Sequence, residues 1–211
     1  MPNQQYPQQY PQQGMQGPPQ AYYPNPQDWN AMNQLAHLQG LFVKQKPQYL
    51  ENIWDRNNVY YIYRQNAQTG DKLGPKMFKA KENSSCCSRQ CLHPSCRPFK
   101  VNVEHEDGPF VGSPAFRYER DCRFTFCCCN RPEMDVFYTE NGANDKIGKV
   151  TEPWYCCDRG IRVFDKKGEH IYEIIGNCCQ LGFCCQCPCD ACQTIDFEIR
   201  NKKGDKISAL Q

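Results

Sequence analysis

From Val59 onward, apolar and polar side chains alternate in short runs, and each run breaks at a turn built on Asn, Asp or Gly. Val59-Tyr60-Tyr61-Ile62-Tyr63 breaks at Gln68-Thr69-Gly70 and resumes through Met77-Phe78-Lys79-Ala80. Phe99-Lys100-Val101-Asn102-Val103 leads to Glu106-Asp107-Gly108, and Met134 to Tyr138 leads through Asn141-Gly142 to Ile147-Gly148-Lys149-Val150. Ile161 to Asp165 turns at Lys167-Gly168 into His170 to Ile174, and Ile195 to Ile199 turns at Lys203-Gly204 into Lys206 to Leu210. Strict alternation puts one set of side chains on each face of a half-buried strand, and Gly suits the tight turn of an antiparallel pair. Five such hairpins predict an all-β antiparallel fold, a sheet or a closed barrel, over residues 59–211.

The pattern before Val59 differs. Leu35, Leu38, Leu41, Phe42 and Gln45 recur at helical spacing between Asp28, a capping residue, and Pro47, a stop. A short amphipathic helix is expected over 28–46, packed on the domain and joined to it by a linker reaching residue 58. Lys44 and Lys46 alone make a poor membrane-binding face. Residues 1–27 carry no charged side chain and are mostly Pro, Gln and Tyr. Such a segment buries too little apolar surface to offset its ordering entropy, so a disordered, partly polyproline-II tail is expected. It is either a solvated tail or a ligand for SH3 or WW domains.

Charge and composition exclude several classes. A net charge of +2 over 211 residues gives no electrostatic case for nucleic acid as the main partner. No apolar run reaches the roughly 18–20 residues of a spanning helix, and the N-terminus has no secretory signal pattern. Without export, the 17 cysteines sit in a reducing compartment as thiols, acylated thiols or metal ligands.

Those cysteines fall between the hairpins, and Cys127-Cys128-Cys129 is the densest group, set after the β-type run Cys122-Arg123-Phe124-Thr125-Phe126. Adjacent cysteines meet neither disulfide geometry nor the C-x-x-C spacing of a zinc knuckle. Alternation cannot turn three consecutive thiols inward on one strand, so thioacylation accounts for them better than burial as small apolar side chains. Arg120, Arg123 and Arg131 flank the group and would favour an anionic leaflet by up to ~1 kcal/mol each. Cys184, Cys185, Cys187 and Cys189 are weaker acylation candidates. Zinc is the second reading for the other clusters, with Cys86, Cys87, Cys91, His93 and Cys96 as ligands and Cys187 and Cys192 as contributors. Catalysis has no support: His37, His93, His105 and His170 lie in separate segments, and no nucleophile elbow, phosphate loop or H-E-x-x-H occurs.

The hairpin series, the segments CCSRQCLHPSCRPF and ERDCRFTFCCC, and the segment CDACQTIDFEIRNKKGDKIS together resemble the phospholipid scramblases, from about Asn33 to the C-terminus. The resemblance implies a Tubby-like antiparallel barrel around a central helix, and palmitoylated cysteines. It also implies attachment to the cytoplasmic face of the plasma membrane, with a soluble or nuclear pool when not acylated. The implied activity is calcium-dependent, ATP-independent movement of phospholipids between leaflets, which breaks no covalent bond. The alternative is a palmitoylated adaptor or interaction module without scrambling activity. Two departures stand out. The family's cysteine run is a longer Cys-Cys-Cys-Pro-Cys-Cys, whereas Asn130-Arg131-Pro132 follows the triple here. The family continues beyond the strand matching Ile207-Ser208 into an acidic calcium loop and a hydrophobic helix, whereas this sequence reaches Gln211 without supplying either. A lumen-filling helix would bury on the order of 1,000 Å², worth roughly 25 kcal/mol, against a net domain stability of ~5–15 kcal/mol. The expectation is therefore a poorly folded chain unless a partner, lipid or detergent fills the lumen.

Overall fold

The computed structural model describes residues 29–46, 57–85, 88, 91–93, 96–124, 129–156, 158–180 and 195–210. The expected disordered tail over 1–27 and most of the linker lie outside these residues. The described chain is one eleven-stranded antiparallel meander, every strand paired with its sequence neighbours. The strands are β1 (Leu41–Gln45), β2 (Val59–Gln65), β3 (Lys72–Asn83), β4 (Phe99–His105), β5 (Pro114–Arg120) and β6 (Glu133–Tyr138). They continue as β7 (Asp145–Thr151), β8 (Asp158–Asp165), β9 (His170–Asn177), β10 (Phe197–Asn201) and β11 (Lys206–Leu210). The all-β antiparallel fold is the one the alternation predicts, and the predicted turns hold. At Gly168 and Gly204, for example, φ is 83° and 89°, where only glycine is unstrained.

The N-terminal expectation is corrected. The helix α1 covers only Ala31–Ala36, with the Asn30 side chain accepting from Asn33 N–H at 2.7 Å. Leu41 and Phe42 belong instead to β1, which pairs with β2 in the register Leu41↔Arg64 to Gln45↔Tyr60. Gly40 separates the two, and its carbonyl accepts from Gln65 N–H at 3.0 Å. The open edge of β2 offers Leu41–Gln45 a ladder of backbone partners, and this outweighs the helical spacing of its apolar residues. The expected strand at Cys122–Phe126 is also absent where it is described: β5 ends at Arg120, and residues 121–124 lie outside any strand.

Register fixes which side chains share a face. One row runs Tyr60, Ala80, Val103, Phe116 and Tyr138 across β2 to β6. Phe99 pairs with Arg120, a second row runs Met134, Val150, Val163 and Tyr172, and the rows Ile161–Ile174–Ile199 and Arg159–Gly176 continue the same face. This is the concave face. It curls far enough for Phe99 of β4 and Phe197 of β10 to line one cavity, and for β1 and β11 to border another of about 700 Å³.

The buried core occupies one half of that face. Ala31 of α1 packs with Met77, Phe78, Ala80, Val103, Ala115 and Phe116, and Leu35 and Leu38 extend the contact. Glu140 pins the helix: its carboxylate accepts from Ala31 N–H at 2.9 Å and from Tyr138 Oη at 2.7 Å. His105 Nε2 lies 3.2 Å from the other carboxylate oxygen, with both side chains buried. Burial pushes the His105 pKa down, and the attraction of Glu140 only partly opposes this. Tyr138 is pushed up to about 12, by burial first and then by its bond to Glu140.

Candidate functional site

In an antiparallel meander, alternate connections lie at opposite ends of the sheet. Here the two ends have different chemistry. The connections at 66–71, 106–113, 139–144, 166–169 and 202–205 are short turns without a cysteine. In sequence all 17 cysteines fall within 84–98, 121–132, 152–157 and 178–196, and the seven that the structure describes lie on the opposite side.

Neighbouring connections at the cysteine-bearing end are tied together. Arg123 N–H donates to the Cys96 carbonyl at 3.3 Å, and its guanidinium pairs with Glu133 at 2.8 Å. Arg131 donates to the Glu152 carbonyl at 3.0 Å and pairs with its carboxylate at 3.1 Å. Asn130, in the left-handed region at φ 50°, donates to the Phe124 carbonyl at 2.9 Å and closes the 121–132 connection on itself. Two large apolar side chains project here, Phe124 at 72% and Trp154 at 50% exposure.

Between the strands at this end lies an apolar cavity of about 280 Å³, with Phe99, Met134, Val150, Ile161 and Phe197 in its wall. It adjoins a more polar vestibule of about 510 Å³ that holds His93, Arg120, Arg131, Arg159 and Trp154, with Glu152 and Asp158. Arg120 and Arg159 line both spaces. Burial lowers the Arg120 pKa, and Glu152 opposes that shift. Tyr155 donates a short hydrogen bond to Glu173, which also receives Arg162 Nε at 2.9 Å. Burial favours the neutral acid at Glu173, but these two bonds prevail and hold its pKa below the usual carboxylate value.

The sequence-predicted residues divide as follows. Cys129 is described and exposed, whereas Cys127, Cys128, Cys184, Cys185, Cys187 and Cys189 lie outside the described residues. Of the zinc candidates, Cys91 is exposed and Cys96 half-buried, with His93 in the same connection, and Cys86 and Cys87 fall outside. Among the described residues, no three His, Cys, Asp or Glu side chains converge as a metal site. No helix among them is long and apolar enough to cross a membrane. Sequence reasoning missed the cavity and its arginine-bearing mouth, since both depend on the curl that brings β10 opposite β4.

The model of the Scramblase family matches residues 19–211. The chain belongs to the scramblase family. It is 27% identical over 171 residues to phospholipid scramblase 2 of Bos taurus, covering 79% of this chain and 50% of that protein. It is 26% identical over 177 residues to phospholipid scramblase 1 of Mus musculus, covering 82% of this chain and 47% of that protein. Phospholipid scramblase 1 of Homo sapiens is 26% identical over 171 residues, with 79% and 46% covered. This scramblase-family chain therefore spans about half the length of the curated relatives it matches. No solved structure gives a significant match.

Proposed function

We propose that this scramblase-family chain moves phospholipids between leaflets while held by thioacyl groups at the cytoplasmic face of the plasma membrane. The observation that carries the reading is the gathering of the described cysteines, Cys91, Cys96, Cys122, Cys129, Cys156, Cys178 and Cys179, at one end of the sheet, beside exposed Phe124 and Trp154. One acyl chain anchors only marginally, and two or more hold firmly, so clustered thiols suit a durable attachment. Cys129, exposed beside Arg131, is the described member of the triple that would carry such a chain. Aromatic side chains at the same end favour the bilayer interface. Scrambling forms and breaks no covalent bond, so it asks only for a surface that admits lipid.

Calcium as the trigger rests on the family resemblance alone. Among the described residues no carboxylate cluster fits it. Zinc rests instead on the sequence grouping of Cys86, Cys87, Cys91, His93 and Cys96. A tail-binding SH3 or WW partner at residues 1–27 rests on composition.

The test is reconstitution of the purified acylated chain into vesicles carrying a fluorescent phospholipid, with dithionite quenching of the outer leaflet. Loss of fluorescence beyond the outer-leaflet half, faster with calcium, is expected. Quenching that stops at the outer leaflet while the chain stays membrane-bound would instead favour the acylated adaptor. Changing Cys127, Cys128 and Cys129 together to Ala is expected to release the chain into the soluble fraction. Unchanged partitioning of that variant, or after hydroxylamine, would remove the triple as anchor.

A further inference from the structure

The strand β9 runs out into a turn that carries two adjacent cysteines, Cys178 half-buried and Cys179 exposed, neither in a disulfide. Their Sγ atoms lie 3.9 Å apart. The turn is fastened on both sides. The Asn177 side-chain oxygen accepts from Cys179 N–H at 2.8 Å, and Gln180 Nε2 donates to the Asn177 carbonyl at 3.1 Å. The same Gln180 side chain grips Asp196, donating to its carbonyl at 2.8 Å and accepting from its N–H at 2.6 Å. The two thiols are thus held side by side between the end of β9 and the approach to β10, so binding a ligand there orders little more of the chain.

The sulfur separation decides between two uses of such a pair. A disulfide needs sulfurs about 2.05 Å apart on Cα atoms roughly 4.4–6.8 Å apart, whereas neighbouring Cα atoms stand about 3.8 Å apart. Two thiolates on one tetrahedral ion, each about 2.3 Å from it, stand roughly 3.8 Å from each other. Oxidation would therefore have to close the observed gap by about 1.9 Å against the peptide geometry, while chelation asks for almost no movement. The surroundings favour a cation. Asn177 and Gln180, which flank the pair, line a hollow of about 440 Å³ with Asp158, Asp196, Glu198 and Arg200. Arg200 is bonded to Glu198 at 2.8 Å, so Asp158 and Asp196 leave the hollow net negative. Among the described residues no third His, Cys, Asp or Glu side chain converges with the two sulfurs. A donor set of two thiolates suits a soft ion and not calcium or magnesium, which take oxygen ligands.

We propose that Cys178 and Cys179 form a two-thiolate site for one soft d10 cation, monovalent copper or zinc. Binding replaces two sulfur–hydrogen bonds with two metal–sulfur bonds and releases both protons to solvent, with no change of oxidation state. Monovalent copper is the better match, because zinc takes four ligands and two thiolates leave its shell half empty. A thiolate held by the ion is withdrawn as a nucleophile, so this pair stands apart from the acyl anchor. The site goes beyond the scramblase reading and does not depend on it.

The test is site-resolved alkylation of the full, reduced, metal-stripped chain by N-ethylmaleimide, read by peptide mass spectrometry. It is run with chelator-buffered monovalent copper, chelator-buffered zinc, magnesium or no metal. Cys178 and Cys179 are expected to start without acyl groups. Copper and zinc are expected to slow alkylation of both by at least about tenfold, with magnesium inert and Cys122 unchanged. Cys178→Ser is expected to return Cys179 to its metal-free rate, since one thiolate does not chelate. Asp158→Asn combined with Asp196→Asn is expected to weaken zinc by about threefold. All of these positions are solvent-accessible, and thermal melts matching the parent confirm that each variant folds. Acyl groups on either thiol, protection of Cys179 that persists in Cys178→Ser, or equal protection of Cys122 overturns the site. Zinc held more tightly than copper in chelator competition overturns the two-coordinate assignment, and zinc affinity untouched by the double Asp→Asn variant overturns the part given to the hollow.

Discussion

The two ends of the sheet are made from the same strands and do opposite things. At the tight-turn end the connections are short, Trp29 packs over Gly108, and Glu140 ties α1 to the turn after β6. The apolar face is filled there by the protein's own helix. At the other end the connections are long and cysteine-bearing, arginines line a vestibule, and the apolar wall of the later strands stays open. One end uses its apolar surface in folding, and at the other that surface stays exposed. The packed core on β3 to β5 and the exposed apolar positions of the later strands thus fall in different parts of the sheet, and substitutions should respect the division.

The largest expected effect lies at the filled end. Phe78→Ala, at a site only 1% exposed, should cost about 3–5 kcal/mol in denaturant unfolding. Glu140→Ala should cost about 3 kcal/mol, because it strands the Ala31 N–H and the Tyr138 hydroxyl in a buried place. Glu140→Gln, which keeps one acceptor, should cost less, measured the same way.

A pH effect comes next. The His105 pKa is lowered in the folded state, so the unfolded chain takes up the proton first as pH falls. The stability tied to neutral His105 is therefore fully present above about pH 6.5 and is lost as pH falls from there toward the lowered folded value. Denaturant midpoints across that range should fall in the parent and flatten in His105→Gln. An equal slope in both would place the titration elsewhere. The smallest effect belongs to the open end. Ile161→Ala should cost no more than about 0.5 kcal/mol, because its side chain is not packed against the core. A loss there as large as that of Phe78→Ala would mean the two ends are not divided as described.

Much of this was legible in the chain. Gly at each turn and strict alternation around it placed β2, β3, β4 and β6 to β11, since each hairpin is decided by residues close in sequence. The stretch around Leu41 and Phe42 was not legible in that way. Its spacing suits a helix, and only the edge of β2 makes it a strand. The Glu140–His105–Ala31 network left no periodic signal, being assembled from a turn, a strand end and a helix start far apart in sequence. The cysteine triple was legible as a site by adjacency alone, but its setting was not. That the described cysteines share one end follows from counting strands between them, once β5 is recognised as a strand in its own right. The cavity was beyond reach, because no local pattern tells how tightly a sheet coils.

The central claim is that the cysteine-bearing end meets the bilayer. The most direct measurement is tryptophan quenching by doxyl-labelled phospholipid, with the acylated chain bound to vesicles. Trp154 lies at that end and Val111, 62% exposed, lies in a connection at the other. In a background with Trp29 and Trp54 changed to Phe, Trp154→Phe should abolish the lipid-quenched, blue-shifted component, and adding Val111→Trp to that variant should not restore it. Quenching restored by Val111→Trp, or undiminished in Trp154→Phe, would put the opposite end against the membrane and contradict the account.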